Sequence, residues 1–303
     1  MENQPPTLVP AVDDVAEVGR VLVVGASGPT GGAVVRSLNG RGAIVRGIAR
    51  SDEGEVQARR AGADEVVRAD LRHPHDLRAA MVGVDSAFYF SPRAVPDEAA
   101  LGRAFIKAAE DSGVSRIVVI SMIHSHAPIP NHQESLQVEE ALARTSIASV
   151  VLQPAMFMQT LPSLDRIAEL GWVGRPYPID VPLTWVDFND VAQIAATALL
   201  TSKLDNGSFE LCSDGMLTIA QIGELMSQAL GRTIESREIT LEEWAAVRGE
   251  DFSSPYRREC YAGMFDYFSK YGFKGGNPLV ASTLLGRPPV TWPEYLVRTR
   301  QAL

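Results

Sequence analysis

From residue 20 onward, short aliphatic runs alternate with stretches whose apolar residues recur every three or four positions. The runs are "RVLVVGA" (20–26), "AIVRGIAR" (43–50), "EVVRAD" (65–70), "DSAFYFSP" (85–92), "RIVVIS" (116–121) and "SVVLQPA" (149–155). Between them the spacing predicts helices over 31–40, 53–61, 75–81, 97–112 and 134–145. Strands separated by helices of this length favour parallel pairing through right-handed crossovers. The fold class this predicts is α/β, a doubly wound parallel sheet.

After residue 155 the pattern changes. "GWVGRPYPIDVPLTWVDFNDVAQIAATALL" is dense in Pro and Gly, then offers a short strand at 183–187 and a helix opened by Asp187 or Asn189. A further helix over 218–231 ends on a glycine, and "LEEWAAVRG" and "YRRECYAGMFDYFSKYGF" read as helices with aromatics on one side. The expected organisation is an acidic, Pro-containing flexible tail over 1–18, a sheet domain over 19–155, and a smaller C-terminal α/β lobe over 156–303 that shares the sheet.

Charge narrows the partners. A net charge of -9 argues against nucleic acid or an anionic membrane, both of which need a basic face. The two cysteines, Cys212 and Cys260, stand far apart and form no CxxC, which suits a reducing compartment. The acidic start lacks the positive, then apolar, order of a signal peptide. No apolar run approaches the ~18 residues of a membrane span. Cytoplasm is the expected location.

The first strand runs into "GASGPTGG", with Gly25, Gly28 and Gly31 before a helix. A plain strand-to-helix turn needs one glycine. Three in register serve a tight turn, close approach of a pyrophosphate, and packing of the helix against the sheet. The helix N-terminus adds free N–H groups and a partial positive charge. Gly25, Ser27, Gly28, Pro29, Thr30 and Gly31 are therefore candidate dinucleotide ligands.

Which dinucleotide turns on the end of the second strand. An acidic residue there would serve the ribose of NAD. Here Arg50 and Ser51 occupy that place, and a guanidinium beside a hydroxyl fits a 2′-phosphate. NADP(H) is the expected cofactor, with Arg46 as a second candidate. Asp70 and Leu71 follow the third strand, where they would meet the adenine edge. Ser91 and Pro92, closing the fourth strand, are further candidate cofactor contacts.

Taken together, "VVGASGPTGGAVV", "GIARS", "RADL", "VDSAFYFSP", "RIVVIS", "VEEALARTSIASVVLQPAMFMQ", "WVDFNDVA", "TIAQIGELMSQALGR" and "LLGRPPVTWPEYL" resemble the NmrA-like family of atypical short-chain dehydrogenase/reductases. The resemblance spans nearly the whole chain. It implies a Rossmann fold with a small C-terminal substrate lobe, a preference for NADP(H), and a nicotinamide flanked by Pro154, Ala155 and Phe157. The family includes both working reductases and proteins that bind the cofactor without turning it over.

Short-chain dehydrogenases usually reduce carbonyls with a Tyr-x-x-x-Lys pair, in which the lysine lowers the tyrosine pKa. The four lysines here are Lys107, Lys203, Lys270 and Lys274, and no tyrosine lies between Tyr89 and Tyr177, so the pair cannot form. Many members resembling this chain keep a lysine where it has Ser135. Sugar epimerase and ordinary alcohol dehydrogenase activities are disfavoured. Ser121 keeps the strand-end serine, and "SMIHSHAPIPNH" sets His124, His126 and His132 on the following loop.

Ser121, His124 and His132 are the candidate catalytic helpers. No Asp, Glu or Cys in that loop completes a metal site, so no metal is expected. Met156, Met158, Tyr261, Met264 and Phe265 are candidates to line an apolar pocket. Trp185 is expected at the cleft or the lobe junction, and Asp187 and Asp190 at a helix start.

Two functions fit these residues. One is an NADPH-dependent reductase of a small apolar organic substrate, conjugated or quinone-like, that takes its proton from water. The other is a non-catalytic NADP(H)-sensing regulator acting on a protein partner.

Overall fold

A computed structural model describes residues 19–301. The expected tail over 1–18 lies outside them. The first half runs β1 (Arg20–Val23), α1 (Pro29–Leu38), β2 (Ile44–Ala49), α2 (Asp52–Ala61), β3 (Glu65–Arg68), α3 (Pro74–Ala80), β4 (Ser86–Phe90), α4 (Glu98–Asp111), β5 (Arg116–Ile120), α5 (Pro130–Leu142) and β6 (Ala148–Pro154). Alternation within each strand sends side chains to opposite faces. Val21 and Val23 pack with α1 residues Val34, Val35 and Leu38, while Leu22 and Val24 pack with Leu77 of α3 and Phe105 of α4. Helices therefore cover both faces of a parallel sheet.

The second half runs β7 (Met156–Phe157), α6 (Leu164–Leu170), β8 (Trp172–Arg175), β9 (Leu183–Val186), α7 (Phe188–Leu200), β10 (Gly207–Leu211), β11 (Met216–Leu217), α8 (Ile219–Leu230), β12 (Glu235–Glu238), α9 (Leu241–Arg248), α10 (Pro255–Tyr271), α11 (Leu279–Leu285) and α12 (Trp292–Gln301). It returns to the main sheet, whose order is β10-β6-β5-β4-β1-β2-β3 with every pair parallel. Two small sheets, β11-β9-β7 and β12-β8, build the rest of the lobe. Strand order reverses between β1 and β4, which opens a crevice at the carboxyl ends of the strands.

Three boundaries differ from the sequence reading. β1 stops at Val23 because the turn is already under way at Gly25, whose φ is +72°. α5 starts at Pro130, a residue suited to the first helical position, and so carries His132 out of the loop and into its first turn. Strand β10 has no counterpart among the predicted strands: a turn at Asn206, with φ +60°, leads into it as the seventh strand of the sheet. It lies at the sheet edge, where a partly exposed run carries little apolar signal.

Buried carboxylates tie α7 to the C-terminal segment. Asp187 caps α7, accepting from the Asn189 amide at 3.0 Å, and pairs with Arg298 at 2.6 Å. Asp190 pairs with Arg287 at 2.6 Å and accepts from the Val290 amide at 2.6 Å. Both serve the fold, as expected. Trp185 is buried edge-on against Trp292, its indole N–H donating to the Leu217 carbonyl, and borders neither hollow described below.

Candidate functional site

Two hollows adjoin at the crevice. The first, a groove of about 410 Å³, is bordered by Gly25, Ser27, Gly28, Pro29, Thr30, Gly31, Arg50, Asp70, Leu71, Ser91 and Pro92. The chain builds it for local reasons. Gly25 needs its positive φ, and a Cβ on Gly31 would lie 2.2 Å from the Gly25 carbonyl oxygen. Gly28 is different: a Cβ there would meet only that oxygen, at 3.4 Å, so protein packing does not demand glycine. Its bare Cα leaves the turn open to something outside the chain.

The first turn of α1 carries no acidic residue and no side-chain cap, so its positive end faces the groove uncompensated. Arg50 borders the groove, exposed, with no hydrogen bond or ion pair to any described residue. Arg46 is committed elsewhere, to Glu65 at 2.7 Å and to the carbonyls of Ala80 and Val82. That removes it as a phosphate ligand. Ser51 caps α2, accepting from the Gly54 amide at 3.1 Å, and does not border the groove. Asp70 accepts from the Arg72 amide at 2.9 Å, and the Ser91 hydroxyl donates to that of Tyr89 at 3.2 Å.

This geometry fits a dinucleotide phosphate. The cradle is one that a Cβ would fill, the helix end lacks a counter-charge, and a free guanidinium borders the groove.

The second hollow is a cavity of about 290 Å³ lined by Met122, Pro154, Met156, Phe157, Trp244, Cys260, Met264, Phe268 and Phe273, with polar side chains from Asn131, His132, Thr160, Arg175, Arg248, Glu250 and Tyr261. Arg93 borders both hollows. It stands on the loop after β4, beside Ala94, whose φ of +53° is a strained setting for a residue with a Cβ. The Ala94 amide donates to buried Glu98 at 3.2 Å. Burial pushes the Glu98 carboxyl up to about 7, against the pull of Arg93.

Of the three candidate helpers, only His132 lines the cavity. Burial holds its imidazole down at about 4, with nearby Arg93 acting in the same direction. Its Nδ1–H donates to the His124 carbonyl at 3.0 Å, which leaves Nε2 an acceptor. The ring is neutral near pH 7 and offers the cavity no acidic proton. His124 shares its own ring with the Lys274 carbonyl, Nε2 to oxygen 2.8 Å, and borders neither hollow.

Ser121 also lies outside both hollows. Its hydroxyl donates to Glu139, which also accepts from Ser125 and Gln153, so the serine has a partner of its own. Ala155 packs in the core, while Pro154 and Phe157 line the cavity. Met156, Tyr261 and Met264 line it as well; Met158 and Phe265 are core.

Sequence reasoning missed Arg93, Arg175, Arg248 and Asn131. Asn131 Oδ1 is buried without a hydrogen-bond partner among the described residues. Arg175 is 3% exposed. No motif marks either, because their burial depends on α9 and α10 closing over them from far along the chain. Among the described residues, no cluster of His, Cys, Asp and Glu could hold a metal, and no helix is long and apolar enough to cross a membrane.

With this geometry in place, comparison with known proteins becomes informative. The family model described as "NmrA-like family" matches residues 17–296. An NAD(P)H azoreductase of Xenophilus azovorans is 29% identical over 226 residues, 74% of this chain and 78% of its own. A triphenylmethane reductase of Citrobacter sp., solved with NADP(H), superposes with a TM-score of 0.78 at 23% identity, covering 92% of this chain and 99% of its own. An NADPH-dependent quinone oxidoreductase of Escherichia coli, solved with NADPH, gives 0.76 at 22% identity, covering 92% and 99%.

Proposed function

The chain belongs to the NmrA-like family, and from that premise we propose that it is an NADPH-dependent reductase of a conjugated or quinone-like organic molecule. One observation carries the reading. A phosphate-type groove and a largely apolar cavity meet at a shared residue, Arg93. The similar azoreductase, triphenylmethane reductase and quinone oxidoreductase act on small organic acceptors of this kind.

Each part of the chain has a role in this reading. Gly25, Gly28 and Gly31 with the α1 N-terminus hold the pyrophosphate, Arg50 the 2′-phosphate, and Asp70 and Leu71 flank the adenine. Bound NADPH supplies a hydride. Pro154 and Phe157 would flank the nicotinamide from the cavity wall, while Met264, Phe268 and Phe273 exclude water around the acceptor. His132, neutral, accepts a hydrogen bond and orients rather than protonates. A quinone-like acceptor takes its proton from water, so the missing Tyr-x-x-x-Lys pair is no obstacle.

That missing pair does favour a second reading, a non-catalytic NADP(H) sensor acting through protein contacts. The cavity counts against it, since a sensor needs no apolar place for an acceptor. The deciding experiment is steady-state oxidation of NADPH by purified protein with quinones, enones and azo or triarylmethane dyes. Turnover above the uncatalysed rate with any of them supports the reductase. Cofactor binding with no turnover across the panel supports the sensor.

A further inference from the structure

Several of the buried and half-buried charges in this chain are answered by opposite charge at short range. Asp187 meets Arg298, Asp190 meets Arg287, and Arg116 meets Asp205, each at 2.6 Å. Arg175 is not answered in this way. It ends strand β8 at the cavity wall, buried, and forms no ion pair with any described residue. Its side chain bonds to a neutral group, Nη2 donating to the Thr160 hydroxyl at 2.6 Å, while that hydroxyl donates to the Phe157 carbonyl at 2.7 Å. A guanidinium has five N–H donors in a planar fork, so one such contact leaves most of its capacity open.

Nor does the rest of the lining neutralise it. Arg248 stands at the end of α9, exposed, with no ion pair among the described residues, and Arg93 likewise has none. Glu250 is the one carboxylate of the lining, and it is already engaged by Arg257 at 3.2 Å and by the Tyr261 hydroxyl at 3.3 Å. Burial pulls Arg175 down to about 10, with Arg248 acting in the same direction, yet it stays charged at neutral pH. A buried, uncompensated cation is costly, and the cost is met when a ligand brings the missing anion.

We propose that the cavity takes an organic molecule with an apolar body and one acidic headgroup, a carboxylate, sulfonate or phosphate, bound by Arg175 with Arg248 at the mouth. The proposal rests on the reductase reading only in taking the cavity as the acceptor site. It sharpens the expected small apolar substrate into an amphiphilic anion. The body lies among Met156, Phe157, Trp244, Met264, Phe268 and Phe273, and the headgroup lies at the β8 end.

A matched pair of fluorescent probes tests this without turnover: 8-anilinonaphthalene-1-sulfonate and N-phenyl-1-naphthylamine, the same ring system with and without the acid. Each is titrated into the NADPH-loaded full chain. The sulfonate is expected to bind more tightly than the neutral amine, although the amine is the more apolar. Arg175→Met should weaken the sulfonate by about 10- to 100-fold, the loss of a hydrogen bond to a charged group. The same change should leave the amine within about threefold, since it removes no apolar lining. Arg248→Ala, at an exposed position, should weaken the sulfonate by a few-fold, about the worth of an exposed charge pair.

If Arg175→Met fails to fold by circular dichroism, the wild-type pair and Arg248→Ala decide. A sulfonate that binds no better than the amine in wild type overturns the proposal, as does a preference unchanged in every folded variant. Either result can coexist with NADPH turnover, so it would leave the reductase reading standing. Conversely, a sulfonate preference without turnover would keep the anion site and remove the reductase.

Discussion

The groove and the cavity are neighbours that share Arg93, yet they are built in opposite ways. The groove depends on a few residues close together in sequence, and its conspicuous feature is what those residues lack: a Cβ on Gly28, an acid in the first turn of α1, a partner for Arg50. The cavity is assembled from the loop after β4, the start of α5, β7, β8, α9 and α10, and its conspicuous feature is a surplus, cations without counter-charges. Local backbone geometry shapes the first to suit a diphosphate. Long-range packing assembles the second.

The sharpest way to break this contrast is Gly28→Val. There is room for the first carbon beside the Gly25 carbonyl, so the protein should fold with a melting temperature close to wild type. Crowding the phosphates away from the α1 N-terminus forfeits at least two hydrogen bonds to charge, about 3 kcal/mol or about 100-fold in affinity for NADPH and NADH alike. Retained binding, measured by cofactor fluorescence in a folded variant, would remove the groove as the cofactor site.

Arg50→Ala divides the two cofactors. Loss of one charge-assisted bond should weaken NADPH by about 10- to 150-fold and leave NADH nearly unchanged. Equal loss for both would take Arg50 off the 2′-phosphate. Arg46→Ala, its foil, should not alter the preference, because that guanidinium is spent on Glu65.

On the cavity side, pH probes the histidine. The folded pKa of His132 is depressed to about 4 from an ordinary 6.5. Between those values the unfolded chain binds the extra proton, so stability present above pH 6.5 is lost as pH falls towards 4. The contribution to that loss is about 3 kcal/mol by pH 4. Denaturant titration of wild type against His132→Gln should show the difference shrinking across that window. A constant difference would mean that the ring titrates normally, restoring it as a candidate acid. The smallest effect is expected from Ser121→Ala: about 1.5 kcal/mol of stability from the lost hydrogen bond to the Glu139 carboxylate, with turnover within about twofold.

The same contrast explains what could be read in the sequence. The parallel sheet was legible because alternating aliphatic runs report burial directly, and the groove was legible because glycines and an arginine at a strand end act through short-range geometry. His132 was visible as a residue but not as a neutral one. Its state depends on its burial in the first turn of α5 and on a carbonyl eight positions back, at His124. Ser121 was visible too, but the direction of its hydroxyl was not. Arg175 carried no sign at all: "GWVGRPYP" says nothing of the helices that bury it or of the carboxylate it lacks.

The central claim is that a cofactor in the groove reduces a molecule in the cavity. Its most direct test is a single turnover. Protein in excess is loaded with NADPH, mixed rapidly with one equivalent of a quinone or azo acceptor, and followed by the fluorescence of bound reduced nicotinamide. The account predicts that this signal decays much faster than in a mixture without protein, and that Met264→Trp, which fills the cavity, slows the decay without releasing the cofactor. Bound NADPH that persists at the uncatalysed rate while the acceptor is demonstrably bound would contradict it.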